Sequence, residues 1–86
     1  MKSKIRHLLK TTLGYTPICI NVDGEEVMFR KRYKNVIITI DIEHEKNDGY
    51  VTPLCSDIST KSEVQVLHDA MEMLEHDLEE LNNVEP

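Results

Sequence analysis

A chain of 86 residues is long enough for one domain and too short for two. It has two cysteines and no run of about 20 apolar residues, which excludes a disulfide-rich scaffold and a membrane span. Its net charge of −6 is divided unevenly. Residues 1–34 carry eight Lys or Arg and three acids, whereas residues 35–86 carry two Lys or Arg and thirteen acids. We therefore expect one cytoplasmic domain over residues 1–86, with unlike faces and with Cys19 and Cys55 as small buried thiols.

The first predicted element is a short amphipathic helix from Ser3 to Leu13. Gly14 favours a stop there, and Pro17 prevents the helix from restarting. The apolar stripe contains no bulky aromatic residue, so we expect the helix to pack on a sheet and not on a membrane surface. That stripe has helical spacing and consists of Ile5, Leu8, Leu9 and Leu13.

A hairpin is predicted next, with Asp23-Gly24 as its turn. This dipeptide is the signature of a two-residue connection between antiparallel strands. A turn of that length would place the apolar residues of both strands on one face. The pairs would be Val22 with Glu25, Ile20 with Val27, and Ile18 with Phe29.

A second tight turn is predicted at Lys34-Asn35, and the alternation over 36–42 that follows it is the strongest strand signal in the chain. A fourth strand, from Tyr50 to Cys55, contains Pro53, which fits a sheet edge because proline has no backbone donor. The second turn would again place large apolar residues on one face, with Lys31 as the misfit. Its pairs would be Tyr33 with Val36, Lys31 with Ile38, and Phe29 with Ile40.

The last predicted element is a long helix from about Thr60 to Asn82, which begins at a T-x-x-E capping box formed by Thr60 and Glu63. At 1.5 Å per residue it should be about 10 Å longer than strands of six or seven residues. The overhanging end carries a narrow leucine seam, which predicts contact with a partner and most simply a homodimer. Within one chain, the first helix is the alternative cover. The seam consists of Leu74, Leu78 and Leu81.

These elements predict an α+β fold. Its order is an N-terminal helix, a four-stranded antiparallel β-meander, and a long C-terminal helix packed on the sheet.

The residues offer little support for catalysis or for a bound cofactor. His68, Glu72 and His76 have helical i, i+4, i+8 spacing, which suits a zinc ion, but they belong to the polar side of the last helix, where exposed His and Glu are common. The sequence contains no glycine-rich phosphate loop, and no Ser or Cys stands beside an assignable base. We therefore expect neither an enzyme nor a metal or cofactor site.

Two charged clusters suggest binding partners of opposite charge. Arg30, Arg32 and Lys34 alternate on one strand face and are suited to phosphate contacts, but the overall acidity argues against direct binding of nucleic acid. The acids of the last helix and of the rim after the third strand have two interpretations, either a solvated face or an imitation of nucleic-acid phosphates. They are Glu72, Glu75, Asp77, Glu79 and Glu80 on the helix, with Asp41, Glu43 and Glu45 at the rim.

The segment Ile18-Cys19-Ile20-Asn21-Val22-Asp23-Gly24, together with the acidic closing helix, resembles small uncharacterised proteins of bacteriophages and prophages of Gram-positive bacteria. Some acidic proteins of this layout are anti-CRISPR inhibitors that mimic DNA. The resemblance implies an inhibitor and carries no contact residue over to this chain.

Together these features predict a small non-enzymatic interaction or regulatory module with an unidentified protein partner. The alternative is an acidic nucleic-acid mimic that blocks a DNA- or RNA-handling enzyme.

Overall fold

The computed structural model describes residues 2–54 and 60–84. The strands form one antiparallel sheet in the order β1-β2-β3-β4, and α2 packs on β3 and β4. The predicted α+β fold is therefore confirmed. The elements are helix α1 (Ser3–Thr11), strands β1 (Thr16–Ile20), β2 (Glu26–Tyr33), β3 (Val36–Asp41) and β4 (Asp48–Pro53), and helix α2 (Lys61–Asn82).

One hydrophobic core lies between the sheet and the two helices. Both helices and the inner side of the sheet contribute to the same cluster of buried side chains, so α1 and α2 cover the same face. Fully buried side chains include Leu9 of α1, Phe29 of β2, Ile38 and Ile40 of β3, and Leu81 of α2.

The boundaries of the helices follow the predicted signals. Helix α1 ends at Thr11, and Gly14 beyond it has a φ of +78°, in the left-handed region that favours glycine. Helix α2 begins after Thr60, whose hydroxyl accepts a hydrogen bond from the backbone N–H of Glu63 at 3.2 Å. The N-cap half of the predicted capping box is therefore present.

Basic residues in α1 and at its N-cap attach this helix to the sheet and to the loop after β3. Lys2 donates to the carbonyl of Ile42 at 2.7 Å, and Arg6 donates to the carbonyl of Glu26 at 2.7 Å. Lys10 forms an ion pair with the carboxylate of the same Glu26 at 2.7 Å. The positive charge at the start of the chain is thus largely used inside the fold.

The second hairpin has the predicted register. Lys34 takes a φ of +54°, as a two-residue connection of the hairpin type requires. The turn pairs Tyr33 with Val36, Lys31 with Ile38, and Phe29 with Ile40.

The prediction for the first hairpin is wrong by one residue. Asn21, and not Val22, pairs with Glu25, so three residues form the connection. The N–H of Asn21 donates to the Glu25 carbonyl at 2.9 Å, and the N–H of Gly24 donates to the Asn21 carbonyl at 3.0 Å. The Asn21 side-chain oxygen also accepts from the N–H groups of Asp23 and Glu25. An asparagine that bonds to the backbone ahead of it stabilises this longer turn.

Strand β1 is an edge strand of the sheet, and the shifted register leaves its isoleucines outside the core. Ile20 pairs with Glu26 instead of Val27, and the strand is irregular between Pro17 and Ile20. Ile18 is 43% exposed and Ile20 is 63% exposed. A slip of one residue exchanges the two faces of a strand, which accounts for the failed prediction.

The sequence predicted that both cysteines are buried thiols. Cys19 is exposed on β1, so for this residue the expectation is wrong. Cys55, the predicted last residue of the fourth strand, lies outside the described residues.

Gly49 on β4 lets helix α2 approach the sheet closely. A Cβ atom at this position would lie 2.6 Å from the carbonyl oxygen of Thr39 and 2.7 Å from a methyl group of Leu74. A larger residue would therefore push the helix away from the strand.

In the part of the chain that the structure describes, neither helix is long and apolar enough to cross a membrane.

Candidate interaction surfaces

The predicted leucine seam of α2 is covered within the chain. Leu81 is fully buried, Leu74 is 8% exposed and Leu78 is partly buried. All three belong to or pack against the cluster that contains Ile5 and Leu9 of α1. The three leucines therefore belong to the core of the same chain, to which α1 contributes Ile5 and Leu9. Homodimerisation remains an untested prediction, and it would need a surface other than this seam.

The acid nearest the seam has a structural role that the sequence analysis missed. Asp77 is 3% exposed and accepts hydrogen bonds from the hydroxyl of Tyr15 at 2.7 Å and from the ammonium group of Lys31 at 2.8 Å. Lys31 also donates to the carbonyl of Leu13 and lies 4.5 Å from the centre of the Tyr15 ring. The misfit lysine of β2 therefore points inward because a buried carboxylate of α2 binds it.

This network controls the ionisation of Tyr15. Burial raises the pKa of its hydroxyl well above the ordinary value of 10, and the hydrogen bond to Asp77 and the negative charge of that carboxylate raise it further. The folded chain therefore keeps this proton at a pH where the unfolded chain loses it. The stabilisation is complete below pH 10 and is lost as the pH rises above it.

A pH series should detect this effect. Above pH 10, Tyr15 should lower the free energy of unfolding by up to about 1.4 kcal/mol per pH unit. Tyr15→Phe should be less stable than the wild type at pH 8 but should show a shallower decline between pH 10 and 11, as measured by urea unfolding. Tyr50→Phe removes an exposed hydroxyl and should retain the wild-type decline. Equal slopes for the wild type and Tyr15→Phe would contradict the assignment.

The acids proposed as phosphate mimics form an exposed row on the outer side of α2. From Ser62 to Val84 the chain contains seven acidic residues and no Lys or Arg, and of these acids only Asp77 is buried. Residues three and four apart on a helix are neighbours, so the exposed carboxylates line one side. They are Glu72, Glu75, Glu79 and Glu80. Among the described residues no group of His, Cys, Asp and Glu is arranged to hold a metal ion.

The second surface is the side of the sheet that faces away from both helices, called here the helix-free face. Cross-strand pairing places Arg30, Thr39 and Tyr50 in one row and Arg32, Ile37 and Thr52 in the next. Thr39 is buried although no helix covers it, because its neighbours on both strands shield it. Tyr50 is 53% exposed, and Leu54 just beyond β4 is 55% exposed.

The two arginines of this face have no acidic partner within residues 2–54 and 60–84. Arg32 donates from Nε to the carbonyl of Lys34, which leaves its terminal nitrogens available, and the side chain of Arg30 makes no hydrogen bond or ion pair with the described residues. Lys10 and Lys31, in contrast, both pair with carboxylates. The part of the helix-free face around Arg30 and Arg32 therefore combines positive charge with exposed apolar area, and the row on the other side of Arg30 carries Asp41 and Asp48.

The sequence predicted the arginines but not their neighbours. Alternation along β2 placed Arg30 and Arg32 together, as the register shows, whereas Lys34 belongs to the turn after β2 and not to the paired strand. Tyr50, Ile37 and Leu54 were missed as surface residues, because their position follows from the pairing of β3 with β4. The alternation of β4 was the signal that could have placed Tyr50 outside.

Comparisons with protein-family models, with curated proteins and with solved structures found no match to this chain. The interpretation of its surfaces therefore rests on their geometry and chemistry.

Proposed function

We propose that this protein is a small non-enzymatic interaction module that binds a partner protein through the helix-free face of its sheet. The observation that carries the proposal is the combination on one face of Arg30 and Arg32, which lack acidic partners among the described residues, with the exposed Tyr50 and Leu54. Arginine and tyrosine are enriched in the central contacts of protein interfaces.

The rest of the molecule explains why this face is the candidate. The apolar stripe of α2 is used in the core, and the basic residues of α1 are bonded to the sheet and the adjoining loop. One face of the sheet packs against the core, and the other face is turned toward solvent. The non-enzymatic part of the proposal rests on the sequence, which lacks a phosphate loop and an assignable nucleophile–base pair.

The exposed acids of α2 favour a second candidate, an acidic mimic of nucleic acid that occupies the basic site of a DNA- or RNA-handling enzyme. Its support is the row of Glu72, Glu75, Glu79 and Glu80 on a helix side without Lys or Arg. This surface is on the opposite side of the molecule from the helix-free face. The two candidates are therefore separable by position.

A photo-crosslinking residue placed on each surface tests the two candidates. We would substitute p-benzoylphenylalanine at Thr52 on the helix-free face, and at Glu72 on α2, and irradiate cells of the source organism. Both positions are exposed, so the fold should persist, and circular dichroism checks this. We expect a specific crosslinked partner at Thr52, competed away by excess unlabelled protein and absent at Glu72.

Other outcomes decide against the module. A partner that crosslinks only at Glu72, and that no longer crosslinks when DNA is added before irradiation, would support the mimic. If excess unlabelled protein reduces crosslinking at neither position, both candidates are contradicted.

A further inference from the structure

We infer that the occupant of the helix-free face is an extended acidic segment of the partner protein, with carboxylates at positions i and i+2 that pair with Arg30 and Arg32. This inference rests on the proposed function, and it adds the chemistry of the partner. An aliphatic residue two positions further along the segment would lie one row beyond Arg32, on the side where Leu54 is exposed.

A shallow groove of about 470 Å³ on this face has the composition that such a segment needs. Its outward-facing charged side chains are Arg30 and Arg32 of β2, since Lys31 points inward to Asp77, and its apolar lining comes from Ile37 of β3 and from Leu54 just beyond β4. The lining residues are Thr16, Arg30, Lys31, Arg32, Ile37 and Leu54.

The spacing of the two arginines matches an extended peptide. Arg30 and Arg32 are two residues apart on one strand, which corresponds to about 6.6–6.8 Å. Alternate side chains of an extended ligand have the same separation and point to the same side. Carboxylates at i and i+2 can therefore each meet one guanidinium group, and such charge-assisted pairs are often bidentate.

The edges of the sheet make addition of a strand unfavourable, which directs a ligand to the face. Pro17 lies on the edge strand β1, whose pairing is irregular beyond it, and Pro53 lies on β4. Prolines and irregularities on edge strands oppose pairing with a further strand. The segment therefore binds by its side chains, in contrast to modules that extend a sheet.

Charge favours an acidic protein segment over nucleic acid. The helix-free face offers the two cations Arg30 and Arg32, whereas proteins that bind duplex DNA commonly neutralise about 6–10 phosphates. The molecule as a whole carries −6 and presents an acidic helix on its other side. A short peptide with two or three carboxylates matches the local charge without bringing a long polyanion near α2.

Selection from a displayed library of random ten-residue peptides tests the inference, with the whole protein as bait. We expect the selected peptides to carry Asp or Glu at i and i+2 and an aliphatic residue at i+4. Their binding, measured by fluorescence polarisation, should weaken as salt is raised from 50 to 300 mM. Chemical shifts should change at Ile37 and Thr52 on binding, and not on the outer side of α2.

Charge reversal supplies the decisive variant and its control. Arg30→Glu with Arg32→Glu should weaken binding by about 100-fold, or about tenfold per arginine. Lys4→Glu with Lys46→Glu makes the same change in net charge at exposed positions elsewhere and should bind as the wild type does. If the reversed variant does not fold, Arg30→Gln with Arg32→Gln serves in its place, with at least a tenfold loss expected.

Three results would overturn the inference. The first is a selection that yields no peptide, or peptides without enrichment in Asp or Glu. The second is equal peptide binding by the charge-reversed variant and the wild type. The third is tighter binding of a single-stranded oligonucleotide than of the selected peptides to the same face. Non-acidic peptides that still shift Ile37 and Thr52 would leave the interaction module standing, since only the partner chemistry would have failed. The module itself is judged by the crosslinks at Thr52, which require no assumption about peptide charge.

Discussion

Replacing Asp77 with alanine is expected to lower the free energy of unfolding by about 3–5 kcal/mol. The change leaves the ammonium group of Lys31, whose side chain is only 18% exposed, without its carboxylate partner. It also removes the acceptor of the buried Tyr15 hydroxyl. Domains of this kind are stable by about 5–15 kcal/mol, so the variant should be largely unfolded at moderate urea concentrations.

Two further variants show whether the loss comes from the buried charge. Glu79→Ala removes an exposed acid from the same helix and should change stability by no more than about 0.5 kcal/mol. Asp77→Leu combined with Lys31→Met removes both charges and should recover most of the lost stability. Urea unfolding followed by circular dichroism measures all three. A loss below about 1 kcal/mol in Asp77→Ala would mean that the network is not buried as described.

Replacing Leu81 with aspartate is expected to unfold the chain. This leucine is fully buried in the cluster between the helices and the sheet, and an aspartate there would be a buried charge without a partner. The milder Leu81→Ala should cost about 2–5 kcal/mol through lost contacts and a residual cavity. Met71→Ala, at a residue 47% exposed on the same helix, should cost far less.

This result separates the intramolecular seam from a dimer interface. If Leu81 were a contact between two copies, Leu81→Asp would give a folded monomer, detectable by sedimentation equilibrium together with circular dichroism. Loss of structure at every protein concentration is the outcome that the buried position predicts.

The element order and most boundaries could be predicted from the sequence because their signals are local. The capping residue Thr60, the stop at Gly14 and the alternation over 36–42 each act within a few residues of the backbone that they shape. The register of the second hairpin also followed from its turn. The first hairpin did not, because Asn21 competes for the same backbone donors and lengthens the turn by one residue.

The candidate site was predictable only in part. Strand alternation placed Arg30 and Arg32 on one face, and helical spacing placed the acids of α2 along one side. Their neighbours Ile37 and Tyr50 come from other strands, and whether each lies inside or outside depends on which face the helices cover.

The sequence by itself determined the elements, their order and the amphipathic side of each helix, since these depend on interactions between residues close in the chain. Only the tertiary structure decided that Leu81, Lys31 and Asp77 point into the fold and which groups they contact. Local pattern made Leu81 a contact for a partner, Lys31 a misfit and Asp77 a solvated acid. Packing α2 into the core that it shares with α1 and the sheet buried the leucine, and docking α2 over β3 and β4 brought the two charges to 2.8 Å. Lys31 and Asp77 are 46 positions apart, and neither strand alternation nor helical spacing indicates a contact between them, because burial and charge pairing are properties of the folded arrangement.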